Sequence, residues 1–284
     1  MIDGALPHLR CPVCEDTLAR PPAEARTLRC PRGHSFDIAK QGYATLLRDR
    51  IPHPGDSVPM IEARDAFLAA GHYRFIADAL IDAAPSGAGL VLDAGAGTGW
   101  YLARLLDRRP DATGLAVDVS KPALRRAARC HPRAAAVLAD LWRRLPVADG
   151  AAELMLNVFA PRNGTEFHRA LRPGGVLIVV SPAADHLAEL ISAHGLLSVA
   201  PDKSGQISRS LGSYFEPDGT ATHRRRLTLT ADETRTLIGM TPSARHVAPD
   251  ELRGGPVTAA VDVTVFRRRD RPLPSPAADR GSAR

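Results

Sequence analysis

Long apolar runs are missing from this 284-residue chain. The longest, GVLIVV at 175–180, has the length of a strand and falls far short of the roughly 20 residues a membrane-spanning helix needs. No membrane association is expected. Cysteine is scarce too, with four in all, and no secretory leader is read at the amino terminus. Together these argue against a disulfide framework and predict a reducing, cytoplasmic setting. Lysine is nearly absent, three against 34 arginines, beside abundant alanine, proline and glycine. That bias reads as GC-rich coding and carries no function by itself. No internal repeat is visible. What remains is 44% hydrophobic and long enough for one sizeable core with a small module appended.

The net charge of +6 invites a nucleic-acid reading, but its distribution tempers it. Residues 267–284, RRRDRPLPSPAADRGSAR, carry six Arg against two Asp, which leaves only +2 for everything before them. Rich in Pro, Ser and Ala without periodic pattern, this tail is expected to be disordered from about residue 269. Residues 104–133 are the one strongly basic stretch expected to fold, with eight Lys or Arg against three Asp. A solvated helical face and a phosphate-tracking surface fit that run equally.

Three of the four cysteines lie close together. LRCPVCEDT supplies Cys11 and Cys14, and RCPRGHSFD supplies Cys30 and His34. Three thiols and an imidazole in two short knuckles form a complete tetrahedral set for zinc, whose borderline softness suits both ligand types. Three buried free cysteines beside a surface histidine are the plain alternative. With four protein ligands the site has no open position and is expected to be structural. A segment this small could not bury enough apolar surface to fold without it. Cys130, in the helical RRAARCHP, reads as a small hydrophobe.

The metal module is expected over 1–47, followed by a Pro- and Gly-broken linker over 48–59. From residue 60 to 84 apolar positions recur at helical spacing, predicting one or two helices. Strand and helix then alternate. GLVLDA, TGLAVDV, AAAVLAD, AELMLNVFA and GGVLIVVSP are strands, with helices expected from Gly99, Ser120 and Ala184. Strands apolar on both faces belong to a parallel sheet covered on both sides. HRRRLTLT and TAAVDVTVF read as later strands around a helix at ADETRTLIG. The fold class is α/β, with a Rossmann-like domain over 60–268.

After the first of these strands comes VLDAGAGTGW, with Asp93, Gly95, Gly97 and Gly99. A dinucleotide site would use G-x-G-x-x-G, whose last position here is Trp100, too large for that close packing. G-x-G-x-G after an acid is instead the pattern of S-adenosylmethionine-dependent methyltransferases. Two further acids fall in register. Asp118 ends the second strand, where a carboxylate can accept from both ribose hydroxyls, and Asp140 ends the third, where it and Leu141 can meet the adenine. At the fourth strand NVFAP places Asn157, Phe159 and Pro161 at the carboxyl edge. In amino-group methyltransferases an Asn or Asp followed by Pro and an aromatic holds a planar nitrogen nucleophile. The motif is stretched here, and a strand end with a proline stop reads the same.

A Cys-x-x-Cys, Cys-x-x-x-His module ahead of such a domain resembles the RlmA-type bacterial 23S rRNA (guanine-N1)-methyltransferases. The resemblance runs from CPVC to about residue 268 and includes CPRGHSFDIAKQGYATLL, PGDS, ARDAFLAAGHY, LDAGAGTGWY, LAVDVSKPAL, FAP, LRPGGVLIVVSP, HL and MTP, in order. It implies a zinc-bearing amino-terminal domain for RNA recognition and a homodimer. It also implies methylation of a guanine in hairpin 35 of 23S rRNA. One branch modifies guanine 745; the other modifies guanine 748 and contributes to resistance to tylosin and related macrolides, and the composition leans toward the second. On this reading Asn157 holds the guanine while Tyr73 or Phe159 stacks on it, and no general base is identified. A zinc-stabilised RNA-binding protein whose methyltransferase fold is vestigial is the competing reading, against which the intact set of three acids and three glycines argues.

Overall fold

The computed structural model of the protein describes residues 2–22, 26–49, 55–194, 203–241 and 252–273. Expectations for the tail beyond 273 and for part of the linker, 50–54, lie outside them. Helix α1 (Ile2–Ala5) precedes the first cysteine knuckle, and the second forms the turn between the antiparallel strands β1 (Thr27–Arg29) and β2 (Ser35–Asp37). A two-residue strand, β3 (Ala44–Thr45), closes the segment.

Two helices follow, as α2 (Val58–Ala69) and α3 (Arg74–Ala83), separated at Gly71, whose φ of +83° is left-handed backbone that a side chain would strain. The alternation then runs β4 (Leu90–Ala94), α4 (Trp100–Asp107), β5 (Thr113–Asp118), α5 (Lys121–Ala127), β6 (Ala134–Leu138), β7 (Ala152–Val158), α6 (Gly164–Ala170) and β8 (Leu171–Pro182). Ser120 caps α5, its hydroxyl accepting the Ala123 N–H, with Pro122 in the first turn. After α7 (Ala188–His194) and α8 (Lys203–Leu211) come β9 (Phe215–Leu229), α9 (Ala231–Gly239) and β10 (Gly255–Arg268). Thr230 and Glu233 form a reciprocal capping box at α9. Helix α7 begins four residues later than expected, and β9 begins eight residues earlier, its first half being too polar and exposed to show alternation.

Eight strands make one sheet in the order β3-β6-β5-β4-β7-β8-β10-β9, parallel through β8 and antiparallel at β10 and β9. The chain leaves β4 toward β5 on one side, and returns to β4's other side with β7. That reversal opens a crevice at the carboxyl ends of β4 and β7, where ligands of open α/β sheets bind.

The sheet's period of two sorts its side chains onto two faces. Val91, Ala116 and Leu138 face the core under α2 to α5, while Leu92, Val117 and Val137 face a second core. That second core also contains Ile2, Leu9, Cys11, Leu28, Cys30, Phe36 and Ile38. The segment expected as a separate module therefore shares its hydrophobic interior with the sheet. Strand β3 extends the same sheet at its edge, Ala44 pairing with Val137, and the Arg10 N–H donates to the Pro146 carbonyl at 3.0 Å.

Candidate active site and metal centre

Each cysteine knuckle is folded by its own backbone. In the first, the Cys11 N–H donates to the Asp16 carbonyl and the Glu15 N–H to the Cys11 carbonyl, with Glu15 in the left-handed region at φ +64°. In the second, the Cys30 N–H donates to the His34 carbonyl and the Gly33 N–H to the Cys30 carbonyl, with Gly33 at φ +84°. The ligand atoms of Cys11, Cys14, Cys30 and His34 then lie within 4.8 Å of one another. Individual edges are 3.6 Å between Cys14 Sγ and Cys30 Sγ and 3.3 Å between Cys30 Sγ and His34 Nδ1. A tetrahedron with zinc–sulfur bonds of about 2.3 Å has edges of roughly 3.7 Å, so the residues present fit the metal. Asp16 accepts from Arg32 at 2.8 Å and so ties one knuckle to the other.

At the sheet's reversal lies a cavity of about 750 Å3, within the range of small-molecule sites. Asp93, Gly95, Gly97, Asp118, Asp140, Leu141, Tyr73 and Phe159 all line it, which brings most of the sequence-derived set together. The three glycines do different things. A Cβ on Gly95 would stand 2.3 Å from the Ala160 side chain, and one on Gly99 2.8 Å from Cys130 Sγ, so these two are small because protein packs on them. Gly97, at φ +54°, is the one whose missing side chain leaves room at the cavity itself.

The acids are held from behind. Asp118 Oδ2 accepts the Gly97 N–H and Oδ1 the Ser120 N–H, each at 2.8 Å, leaving lone pairs for a diol. Burial raises its pKa, against which those two N–H donors act. Asp140 Oδ1 accepts the Trp142 N–H at 3.0 Å, and the Leu141 carbonyl accepts from Asn163. Asp93 is 1% exposed with Oδ1 unpartnered, and burial, followed by the charge of Asp118, pushes its pKa up to about 8. A buried carboxylate oxygen without a partner, facing a cavity, fits a cationic ligand group. With a diol acceptor, an adenine-side acid and a bare glycine, the cavity fits S-adenosylmethionine.

Comparison with known proteins agrees with both sites. Residues 9–48 match the zinc-ribbon family described as "RlmA, N-terminal", and residues 91–175 match a methyltransferase domain family. Over 281 residues the chain is 54% identical to a Micromonospora griseorubida protein provisionally named a 23S rRNA (guanine-N1)-methyltransferase, covering 92% of this chain and 94% of that one. The chain belongs to the 23S rRNA (guanine-N1)-methyltransferases. It is also 48% identical over 250 residues to the 23S rRNA (guanine(748)-N(1))-methyltransferase of Streptomyces fradiae, covering 86% of this chain and 88% of that one. A Bacillus subtilis relative, YxjB, is 28% identical over 278 residues. The chain is therefore an S-adenosylmethionine-dependent enzyme with a structural zinc site, and no helix among the described residues is long and apolar enough to cross a membrane.

One wall of the cavity is aromatic, formed by Tyr73, Phe159 and His186. Phe159 is 43% exposed and holds φ +51°, an unusual conformation for a bulky residue that turns the chain at the end of β7. Its ring centroid lies 6.4 Å from that of Tyr73 and 5.9 Å from that of His186. Tyr73 is buried, which raises its pKa, and its hydroxyl lies 3.4 Å from His186 Nε2. Because His186 Nδ1 accepts the Ala260 N–H, its proton sits on Nε2, and burial depresses its pKa to about 4, keeping it neutral.

Asn157 stands differently from expectation. It is fully buried and outside the cavity lining, its amide nitrogen donating to the carbonyls of Ala94 at 3.0 Å and Pro161 at 2.9 Å. Its two N–H groups thus lock the loop after β4 to the loop after β7 and are not available to a guanine.

Sequence reasoning missed a group of cavity residues that includes Gly55, Asp56, Arg64, Trp142, His186 and Met240. Gly55 and Asp56 fall inside the stretch expected as linker. A Cβ on Gly55 would meet Ser120 at 2.9 Å, and the Ser120 hydroxyl donates to the Asp56 carbonyl at 2.8 Å. The signal was present, since PGDS, HL and MTP stood out as family motifs without a role assigned to them.

Proposed function

We propose that this enzyme transfers a methyl group from S-adenosylmethionine to N1 of guanine 748 in hairpin 35 of 23S rRNA, and thereby contributes to resistance to tylosin and related macrolides. The observation that carries this reading is the 48% identity, over 86% of the chain, with the Streptomyces fradiae enzyme named for guanine 748. The protein works in the cytoplasm as a homodimer. Residues 1–47 form the RNA-recognition module and residues 60–268 the catalytic domain.

In this scheme Asp93, Gly95, Gly97, Asp118, Asp140 and Leu141 line the cofactor's site, while Gly99, outside the lining, lets the loop pack on Cys130. When bound, the cofactor would supply a methyl group already activated by its sulfonium, the sulfur–methyl bond breaking as the N1–methyl bond forms and N1 giving up its proton to solvent. The protein's task is alignment, which can account for a large share of the barrier lowering in such a transfer. N1 lies on the pairing edge of guanine, so the base enters unpaired or extruded from the hairpin. Phe159, exposed at the cavity beside Tyr73, supports a stacking role for the pair, and Trp142, 58% exposed beside Arg143 and Arg144, offers a second aromatic face at the same cavity. Asn157 positions the loop that carries Phe159. Cys11, Cys14, Cys30 and His34 hold zinc, which stiffens the RNA-binding module and takes no part in methyl transfer.

Primer extension on 23S rRNA from cells with and without the gene tests this reading, because an N1 methyl blocks pairing and stops reverse transcriptase. A protein-dependent stop at guanine 748 is expected. A stop at guanine 745 would move the specificity to the other branch, and identical patterns would reject rRNA methylation at this hairpin.

A further inference from the structure

The amino-acid end of S-adenosylmethionine carries a carboxylate, and the cavity built for it is crowded with carboxylates of its own. Asp56, Asp93, Asp118 and Asp140 all line it. Four acids favour the sulfonium and ammonium groups and disfavour the cofactor's anionic end, unless a cation stands where that end lies. Among the described residues lining the cavity, Arg64 is the one permanent cation, since buried His186 stays neutral.

Arg64 projects from α2 to the glycine loop. A Cβ placed on Gly97 would stand 3.2 Å from Arg64 Nη1 and 3.8 Å from its Cδ, so the guanidinium borders the space that the absent side chain leaves. The side chain is held in place from two directions. Nη1 pairs with Asp56 Oδ2 at 2.6 Å, and Nη2 donates to the Met240 carbonyl at 3.2 Å. A guanidinium has five N–H donors, so these two bonds leave a free N–H on each terminal nitrogen, the fork that grips a carboxylate. Its positive charge also opposes the burial-driven rise in the pKa of Asp118, which places it in the electrostatic field of the site and not on the outer surface.

We propose that Arg64, pre-oriented by Asp56 and the Met240 carbonyl, recognises the methionine carboxylate of the cofactor. The proposal rests on the cofactor assignment and adds the residue that selects its anionic end. Asp93 and Arg64 then divide the amino-acid end of the cofactor between them, an acid for the ammonium and a cation for the carboxylate. Fixing the fork before the ligand arrives removes an ordering penalty that a free arginine would carry. The same arrangement explains why the Gly55–Ser57 segment and the end of α9 are drawn to the cavity, because each supplies one of the two groups that hold Arg64.

A purely structural clamp would show the same contacts, so the test separates charge recognition from folding. Calorimetry on the full-length, zinc-loaded protein compares S-adenosylmethionine with decarboxylated S-adenosylmethionine, which keeps the sulfonium and the ammonium. The wild type is expected to bind the first at least tenfold more tightly. Arg64→Gln should lower affinity for S-adenosylmethionine about tenfold or more and leave the decarboxylated ligand within threefold, so that discrimination vanishes. Arg64→Lys, which keeps the charge without the fork, should fall between. Equal losses for both ligands would make Arg64 a clamp and overturn the proposal, as would undiminished discrimination in Arg64→Gln. If Arg64→Gln does not fold, the wild-type ratio decides, and a ratio near one overturns the proposal. A wild type that binds neither ligand would instead remove the cofactor assignment beneath it.

Discussion

The zinc site and the cofactor cavity are built in opposite ways. The four metal ligands come from two knuckles within 24 residues, each closed by hydrogen bonds to its own backbone, so local spacing determines the site. The cavity gathers residues from Gly55 to Thr241, and depends on strand order to bring the ends of β4, β5, β6 and β7 together. One site is held by a metal and the other by topology. Yet the sheet joins them, because Cys11 and Cys30 are buried in the same cluster as Leu92 and Val117, which lie on strands whose ends form the cavity. Function can therefore be divided between the two regions while stability is not.

Substitutions on the topological side should separate them most sharply. Gly97→Val places a branched side chain at φ +54°, a strained backbone for it, and fills the room beside Arg64 that the cofactor needs. Calorimetry should detect no S-adenosylmethionine binding by this variant, while its zinc content stays at one per chain. Affinity within a few fold of wild type would show that the loop is not the cofactor's. Zinc lost together with the cofactor would show that the regions are not separable even in function.

Asp118→Ala is the next largest. It removes an acceptor for the ribose and frees two buried N–H groups, so binding should weaken by about 1–3 kcal/mol, the scale of hydrogen bonds to a charged group. Asp118→Asn, which keeps one acceptor oxygen, should lose less. An unchanged dissociation constant in Asp118→Ala would place the ribose elsewhere.

The smallest effect is in protons. Asp93 has a folded pKa raised to about 8, so the free protein near pH 7 carries it mostly protonated. A raised carboxyl pKa stabilises the fold at low pH, and that contribution is lost as pH rises through about 8. A cationic ligand beside it favours the ionised form. Binding near pH 7 should therefore release a proton, and affinity should rise with pH up to about 7, below the range in which the ligand's own amino group titrates. Calorimetry in buffers of different ionisation enthalpy measures this directly, and Asp93→Asn should abolish it. Proton uptake, or none, would mean that the ligand's cation does not meet Asp93.

The contrast between the two sites also explains what could be read from the sequence. Zinc ligands and the motif from Asp93 to Gly99 were legible because their chemistry depends on spacing along the chain. Asp118 and Asp140 were legible because strands of a parallel sheet end at the same edge. Arg64 and His186 lie within the motifs ARDAFLAAGHY and HL, but their roles are not legible there, since each is held in part by a group far away in sequence, Met240 for the first and Ala260 for the second. Asn157 reads as a substrate residue because its position at a strand end is visible in the sequence and its two backbone carbonyl partners are not. The Gly55–Ser57 segment reads as linker because proline and glycine mark a turn whether or not the turn lines a site. The shared core was invisible for a similar reason. Leu28, Phe36 and Ile38 read as the interior of a small module, and only the fold shows that the sheet lies beneath them.

Loss of zinc is where divided function and shared stability make different demands on one molecule. Cys30→Ser replaces a thiolate with a poor ligand at a residue buried in the common core, so the whole protein should melt in a single transition at lower temperature. Below that temperature, dissociation constants for S-adenosylmethionine and for a hairpin 35 RNA, measured side by side on this variant and the wild type, test the account most directly. Cofactor affinity is expected to stay within threefold, because the ends of β4 and β5 and the face under α2 to α5 are intact, while hairpin affinity should fall at least tenfold. Unchanged hairpin affinity, or an equal loss of both ligands in protein that is still folded, would contradict the division of labour between the metal-built and the topology-built site.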